Sequence, residues 1–230
     1  MITLQIKNLF ILLLILNNSC VFDKHSKKTT QKEVSIATNY YNDALALVKK
    51  RKYNQAIEKF DQATKSNPYL IEAYIKWAYI YTKFRDKEEA RKIVQKGIKH
   101  NPNNYRLHYL LLSTSPYPYT DKEEIYEKLI SLSPSSCLAY FEYAQFLEER
   151  KLDKSITIMN QGVKLLLTTC KINTSNIYGA GIIRDIIKFY DRIIAKHKND
   201  TKTYNALITI QKAVKTRFKY FKLQSSIKIE

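Results

Sequence analysis

A chain of 230 residues that is 45% hydrophobic is long enough to bury a core and too apolar to be disordered. Only 4 Gly and 5 Pro interrupt it, which excludes a turn-rich β architecture and points to helices joined by short turns. Lys and Arg number 39 against 21 Asp and Glu, and the resulting +18 suits polyanionic partners, either nucleic acid or an anionic membrane surface.

The chain opens with Lys7 and Asn8 ahead of an unbroken apolar run over 9–16. That run is far shorter than the roughly 20 residues of a spanning helix. It fits the core of a secretory signal peptide, with Lys7 as its positive flank. Asn17, Asn18, Ser19 and Cys20 follow directly. Residues 1–20 thus resemble a bacterial lipoprotein signal, although Leu16 stands one place early and the two asparagines replace smaller or apolar residues. The alternative is an ordinary signal sequence, or a short anchor, that happens to contain a cysteine. The resemblance implies a signal peptide over 1–19, acyl chains such as palmitate on Cys20, and a bacterial cell envelope location on a periplasmic or surface face. Each buried CH₂ of such a chain contributes about 0.8 kcal/mol, so more than one chain anchors stably. Residues 20–35 are expected to be the lipidated cysteine and a flexible polar tether.

A period of 34 residues runs through the next stretch. It relates Tyr40 to Tyr74, Ala44 to Ala78, Leu47 to Tyr81, Ala56 to Ala90, Phe60 to Val94, Ala63 to Gly97 and Pro68 to Pro102. Small residues at fixed places let paired helices approach, bulky ones fill the space between them, and the prolines follow each second helix. Asp86 and Glu89 have the spacing of a capping box. The pattern resembles the tetratricopeptide repeat. Two worn units follow. Tyr105 opens a shortened one, broken by Pro116 and Pro118, with Thr120 and Glu123 as the cap of its second helix. Lys122 stands in its small-residue slot. The next unit has Tyr140, Ala144 and Leu147, then Ser155, Met159 and Gly162.

Beyond Thr168 the pattern loosens. Ile183, Ile186, Ile187, Tyr190, Ile193 and Ile194 form a helical stripe, and Ala206, Ile210 and Ala213 mark another helix. Tyr190 to Ala206 repeats the spacing of Tyr40 to Ala56, so a degenerate fifth repeat competes with a simple capping pair. Gly179 and Gly181 are expected to permit close helix packing. The expected fold is all-α, a tetratricopeptide-like helical-hairpin solenoid. About four repeats over 36–168 are followed by a basic C-terminal helical pair over 169–230. Cys137 and Cys170 form no CxxC pair. They are expected to be small buried hydrophobes, with a mutual disulfide as the alternative.

No HExxH, GxxxxGK[ST] or GxGxxG occurs, and His25, His100, His108 and His197 are scattered, so no catalytic residue, metal ligand or cofactor is expected. In the resembled family the first helices line a concave groove. That implies a partner-binding lining of Tyr41, Leu45, Ile75, Tyr79, Tyr109 and Phe141, with Lys49, Lys76, Lys83 and Arg106 alongside. Tyrosine and arginine suit hot spots, and a peptide with apolar anchors and acidic neighbours would fit. The expected function is a protein-binding scaffold among other envelope proteins. The alternative is a membrane-surface or polyanion binder acting through Lys212, Lys215, Lys219 and Lys222, which share a helix face. Anionic headgroups are then the partner. Nucleic acid is disfavoured because residues 1–20 direct the chain out of the cytosol.

Overall fold

The computed structural model describes residues 29–84, 86–114, 119–169 and 177–226. Cys20, the signal segment and Cys170 lie outside them. The helices are α1 (Gln31–Lys49), α2 (Tyr53–Ser66), α3 (Ile71–Lys83), α4 (Lys87–His100), α5 (Tyr105–Thr114), α6 (Tyr119–Leu132), α7 (Cys137–Leu147), α8 (Leu152–Thr168), α9 (Ile177–Lys196) and α10 (Thr201–Ser226). Among the described residues there is no strand, and no helix is long and apolar enough to cross a membrane. The chain divides after Asn67 into two units.

The first unit is the α1–α2 hairpin. Its first helix starts at Gln31, inside the segment expected to be a tether. A capping box explains the early start: Glu33 N–H donates to Thr30 Oγ1 (3.2 Å), and Thr30 N–H donates to Glu33 Oε2 (2.7 Å). At the other end, Lys52 N–H donates to Leu47 O (2.9 Å) and Arg51 N–H to Val48 O (3.0 Å). This is the paired closure that usually has glycine at its left-handed position. Here Arg51 adopts it, at φ 58°. The small-residue slots behave as the period requires. Ala44, Ala56 and Ala63 are wholly buried, as is Phe60 between them. Burying a phenylalanine of this kind contributes about 1.5–3 kcal/mol.

The second unit holds four further hairpins, α3–α4, α5–α6, α7–α8 and α9–α10. Tyr74, Ala78, Ala90 and Val94 are wholly buried in the first of these. Gly97 is small because it must be: a Cβ there would lie 2.9 Å from Tyr74 Cγ and 3.3 Å from Leu107 Cδ1. Asp86 caps α4 by accepting from Glu89 N–H (3.1 Å). The reciprocal arm of the expected capping box is replaced by an ion pair, because Glu89 turns to Lys92 (2.6 Å). Pro68 and Pro102 stand in the turns after α2 and α4, as expected.

The worn third hairpin is held differently. Thr120 is not a cap, since α6 already runs from Tyr119. Glu123 instead accepts from Lys151 Nζ (2.8 Å) and Lys154 Nζ (2.7 Å), and Lys154 also reaches Glu127 (2.8 Å). The two lysines hold the Glu123 carboxyl down to about 2. Tyr143 donates to Glu127 (3.1 Å) and stacks on Tyr126 at 5.2 Å. An ionic cluster thus ties α6 to α8 where the small-residue slot is lost to Lys122.

In α7–α8 the slots return. Ser155 is wholly buried, and its hydroxyl donates to Ala144 O (2.6 Å). A Cβ on Gly162 would lie 2.7 Å from Phe141 Cε1. Ile183, Ile186, Tyr190 and Ile193 join Phe141, Met159 and Val163 in one apolar cluster with Phe189, Leu207 and Val214. Tyr190 donates to Asn160 (2.7 Å), and Arg192 forms a two-point pair with Glu148 at 2.7 Å each. Two expectations fail in this region. Ala206 is exposed rather than buried, because Leu207 turns into the core instead; the spacing from Tyr190 does not mark a repeat slot. Gly181 permits no close approach, since a Cβ there would meet nothing within 4 Å among the described residues. A third correction concerns Cys137, which is buried but also disulfide-bonded. It is a crosslink, not merely a small hydrophobe.

Candidate functional site

The exposed faces of α3 and α5 carry the densest set of expected groove residues. Ile75, Tyr105, Arg106, Tyr109, Leu110 and Ser113 line an open pocket of about 280 Å³. The helical period puts Ile75, Tyr79 and Lys83 on one face of α3, and Tyr105 and Tyr109 on one face of α5. Tyr79 is 63% exposed and Tyr109 39%. Large apolar side chains left in water beside an apolar pocket are the mark of an unfilled contact surface. Tyr105 and Tyr109 stack at 6.2 Å with ring planes 17° apart, which fixes both rings before any partner arrives.

Electrostatics on this face differ from the sequence expectation. Arg106 is not a free cation: it forms an ion pair with Glu72, with a second contact from Nη2 to Oε2 at 3.3 Å. Tyr109 donates from its hydroxyl to Glu142 Oε1 (2.8 Å). Burial, the hydrogen bond and the Glu142 charge together keep the Tyr109 phenol protonated well above its ordinary range. Burial also raises Glu142 above the usual carboxylate value, against the pull of that hydrogen bond. Lys76 and Lys83 are exposed on α3. Neither Glu72 nor Glu142 was among the expected site residues. The signal that could have found them is the period: Glu72 stands 34 before Arg106, and Glu142 stands 33 after Tyr109.

Phe141 does not belong to the lining. It is 2% exposed and sits in the core cluster with Ile183 and Ile186 of α9. The C-terminal helices cover the place that the repeat pattern would leave open. In the first unit, Tyr41 and Leu45 are half-buried and Lys49 is exposed at the end of α1. Tyr41 leans on Phe60 at 6.0 Å, so part of its ring serves the hairpin core.

The basic face of α10 is partly spent. Lys212 and Lys219 are exposed. Lys215 donates to Gln211 Oε1 (2.9 Å) and lies 4.0 Å from Asp191, and the side chain of Lys222 lies outside the described residues. Arg217 reaches back to Leu167 O (3.0 Å), a packing role. Another pocket, of about 500 Å³, is lined by Glu148, Glu149, Arg150, Arg192 and Lys196 among others. Its central pair, Glu148 and Arg192, is already satisfied. Among the described residues no three His, Cys, Asp or Glu side chains gather to hold a metal.

No protein-family model matches the chain, and no curated protein matches it in sequence. Solved structures do match its fold. A MamA crystal structure is 16% identical at a TM-score of 0.50, over 73% of this chain and 94% of that one. MamA from Desulfovibrio magneticus RS-1 is 16% identical at 0.51, over 82% and 98%. YrrB, a TPR protein with an unusual peptide-binding site, is 16% identical at 0.52, over 80% and 88%. At such identities the likeness carries the fold alone, and that fold is the tetratricopeptide-like, all-helical one.

Proposed function

We propose that this chain is a non-catalytic protein-binding scaffold whose α3–α5 face holds a peptide segment of its partner. The observation that carries this is the open pocket of Ile75, Tyr105 and Tyr109, with the exposed Tyr79 one helical turn from Ile75 on the same face of α3. Aromatic anchors around a preformed apolar pocket are the usual hot spots of such recognition. The solved peptide-binding fold of YrrB supports the same class of role. The test is Tyr79→Ala with Tyr109→Ala, read by affinity for partner segments selected on the wild-type chain. Loss of at least tenfold, about 1.4 kcal/mol, is expected; unchanged affinity would place the site elsewhere.

The proposal extends to location. A chain cleaved before Cys20 and acylated there would work at the surface of a bacterial envelope membrane. The disulfide at Cys137 supports that compartment, because such bonds persist where the environment is oxidising. Mass spectrometry of the native N-terminus tests it: a lipid-modified Cys20 is expected, and an intact Met1 in the soluble fraction would overturn it. A second role, contact of α10 with anionic headgroups, is favoured by the exposure of Lys212 and Lys219. Each lysine near such a surface contributes about 1 kcal/mol. Charge reversal at both should release the unlipidated chain from phosphatidylserine vesicles and leave peptide binding intact.

A further inference from the structure

The face that begins with Tyr79 and Tyr109 does not end there. Tyr109 hands its hydroxyl hydrogen to Glu142 of α7 (2.8 Å). Glu142 in turn borders a second, smaller pocket of about 120 Å³, between α7 and α9. Its lining combines the apolar Leu138, Phe141, Ile182 and Ile186 with the polar Gln145, Glu142 and Asp185. The described lining contains two carboxylates and no cation, in a chain whose net charge is +18. Two arginines of the neighbouring surface are already engaged, Arg106 by Glu72 and Arg192 by Glu148.

We infer that the partner segment carries a Lys or Arg whose aliphatic stem lies in the α7–α9 pocket and whose cationic head meets Glu142 and Asp185. This rests on the scaffold function proposed above and names the chemistry of its partner. Long basic side chains bury their methylene stems on apolar surface while the head stays polar, and this pocket has both apolar and acidic lining. A carboxylate that already accepts from Tyr109 retains capacity for further donors. Half-buried and partly desolvated, Glu142 interacts with an incoming cation more strongly than a solvated carboxylate would. The occupant is therefore a segment with an apolar or aromatic anchor for the Ile75–Tyr109 pocket and a basic residue for its neighbour. That reverses the acidic segment which the overall charge suggests.

The experiment is selection from a random peptide display library on the full chain, repeated on E142Q/D185N. The wild-type chain should enrich sequences that pair an aromatic or large aliphatic residue with a Lys or Arg. The double variant should lose the basic preference and keep the apolar one. A peptide selected on the wild type should then bind the variant at least tenfold more weakly. Enrichment of apolar residues alone, or with Asp and Glu, would overturn the inference and leave the scaffold function standing. No enrichment at all would remove both. Asp185 is exposed, so D185N alone retains the fold and still reports the basic preference if the double variant is unstable.

Discussion

Ile75, Tyr109 and Phe141 stand at corresponding places on three successive first helices, yet only the first two line the open pocket of α3 and α5. Ile75 is half-buried and Tyr109 is 39% exposed, whereas Phe141 is 2% exposed. The difference lies in what comes next along the chain. α9 lays Ile183 and Ile186 into the cluster that holds Phe141, so a position that would have faced a partner faces a neighbour helix. A repeat position has no fixed function; the next layer decides whether it binds or packs.

The largest effect is expected from Phe141→Ala. It should destabilise the second unit by about 3–5 kcal/mol, the range for a buried aromatic, measured by urea unfolding. A cost under about 1 kcal/mol would mean that Phe141 is not core. Next come two glycines on neighbouring helices. Gly162→Ala pushes a methyl to 2.7 Å from Phe141 and 2.8 Å from Tyr140 Cβ, at an expected cost of about 1–3 kcal/mol. Gly181→Ala meets nothing nearby and should stabilise by about 0.5–1 kcal/mol through helix propensity. If both are costly, α9 is packed more tightly than described.

A smaller effect is expected from the ionic cluster that replaces the lost small-residue slot. Lys151 and Lys154 lower the Glu123 carboxyl from 4.5 to about 2. A depressed acid stabilises the fold above its unfolded value, and that contribution fades as pH falls from about 4.5 toward 2. Burial raises Glu142, so its contribution has the opposite sign and is lost as pH rises through its folded value. Thermal melts from pH 6 to 2.5 should therefore show an acid loss that E123Q flattens; an unchanged slope would assign the loss to other groups. The smallest stability effect belongs to the open region. Tyr79→Ala should change stability by no more than about 0.5 kcal/mol, in contrast with Phe141→Ala.

Where the repeat is strong, the sequence was legible almost residue by residue. Ala44, Ala56, Ala78, Ala90 and Gly97 are buried where the 34-residue period puts them. It failed where local rules gave way to tertiary packing. Thr120 looked like a cap and lies within α6, while Ala206 looked like a packing slot and is exposed. Of the groove, Ile75, Arg106 and Tyr109 do share a pocket. Their acidic partners Glu72 and Glu142 went unread, because a hydrophobic period says nothing about which charges meet across helices. Phe141 was misplaced for a related reason: no local signal shows that a later helix will cover it.

If a partner polypeptide sits on the face containing Tyr79, a crosslinking side chain placed there captures it. A photoreactive phenylalanine analogue in place of Tyr79, compared with the same analogue in place of Lys212, tests this in extracts of the native cells. Position 79 should yield a polypeptide adduct that an excess of a peptide selected on the wild-type chain suppresses, and position 212 should yield none. Adducts from position 212 alone, or an adduct at 79 indifferent to the competing peptide, would contradict it.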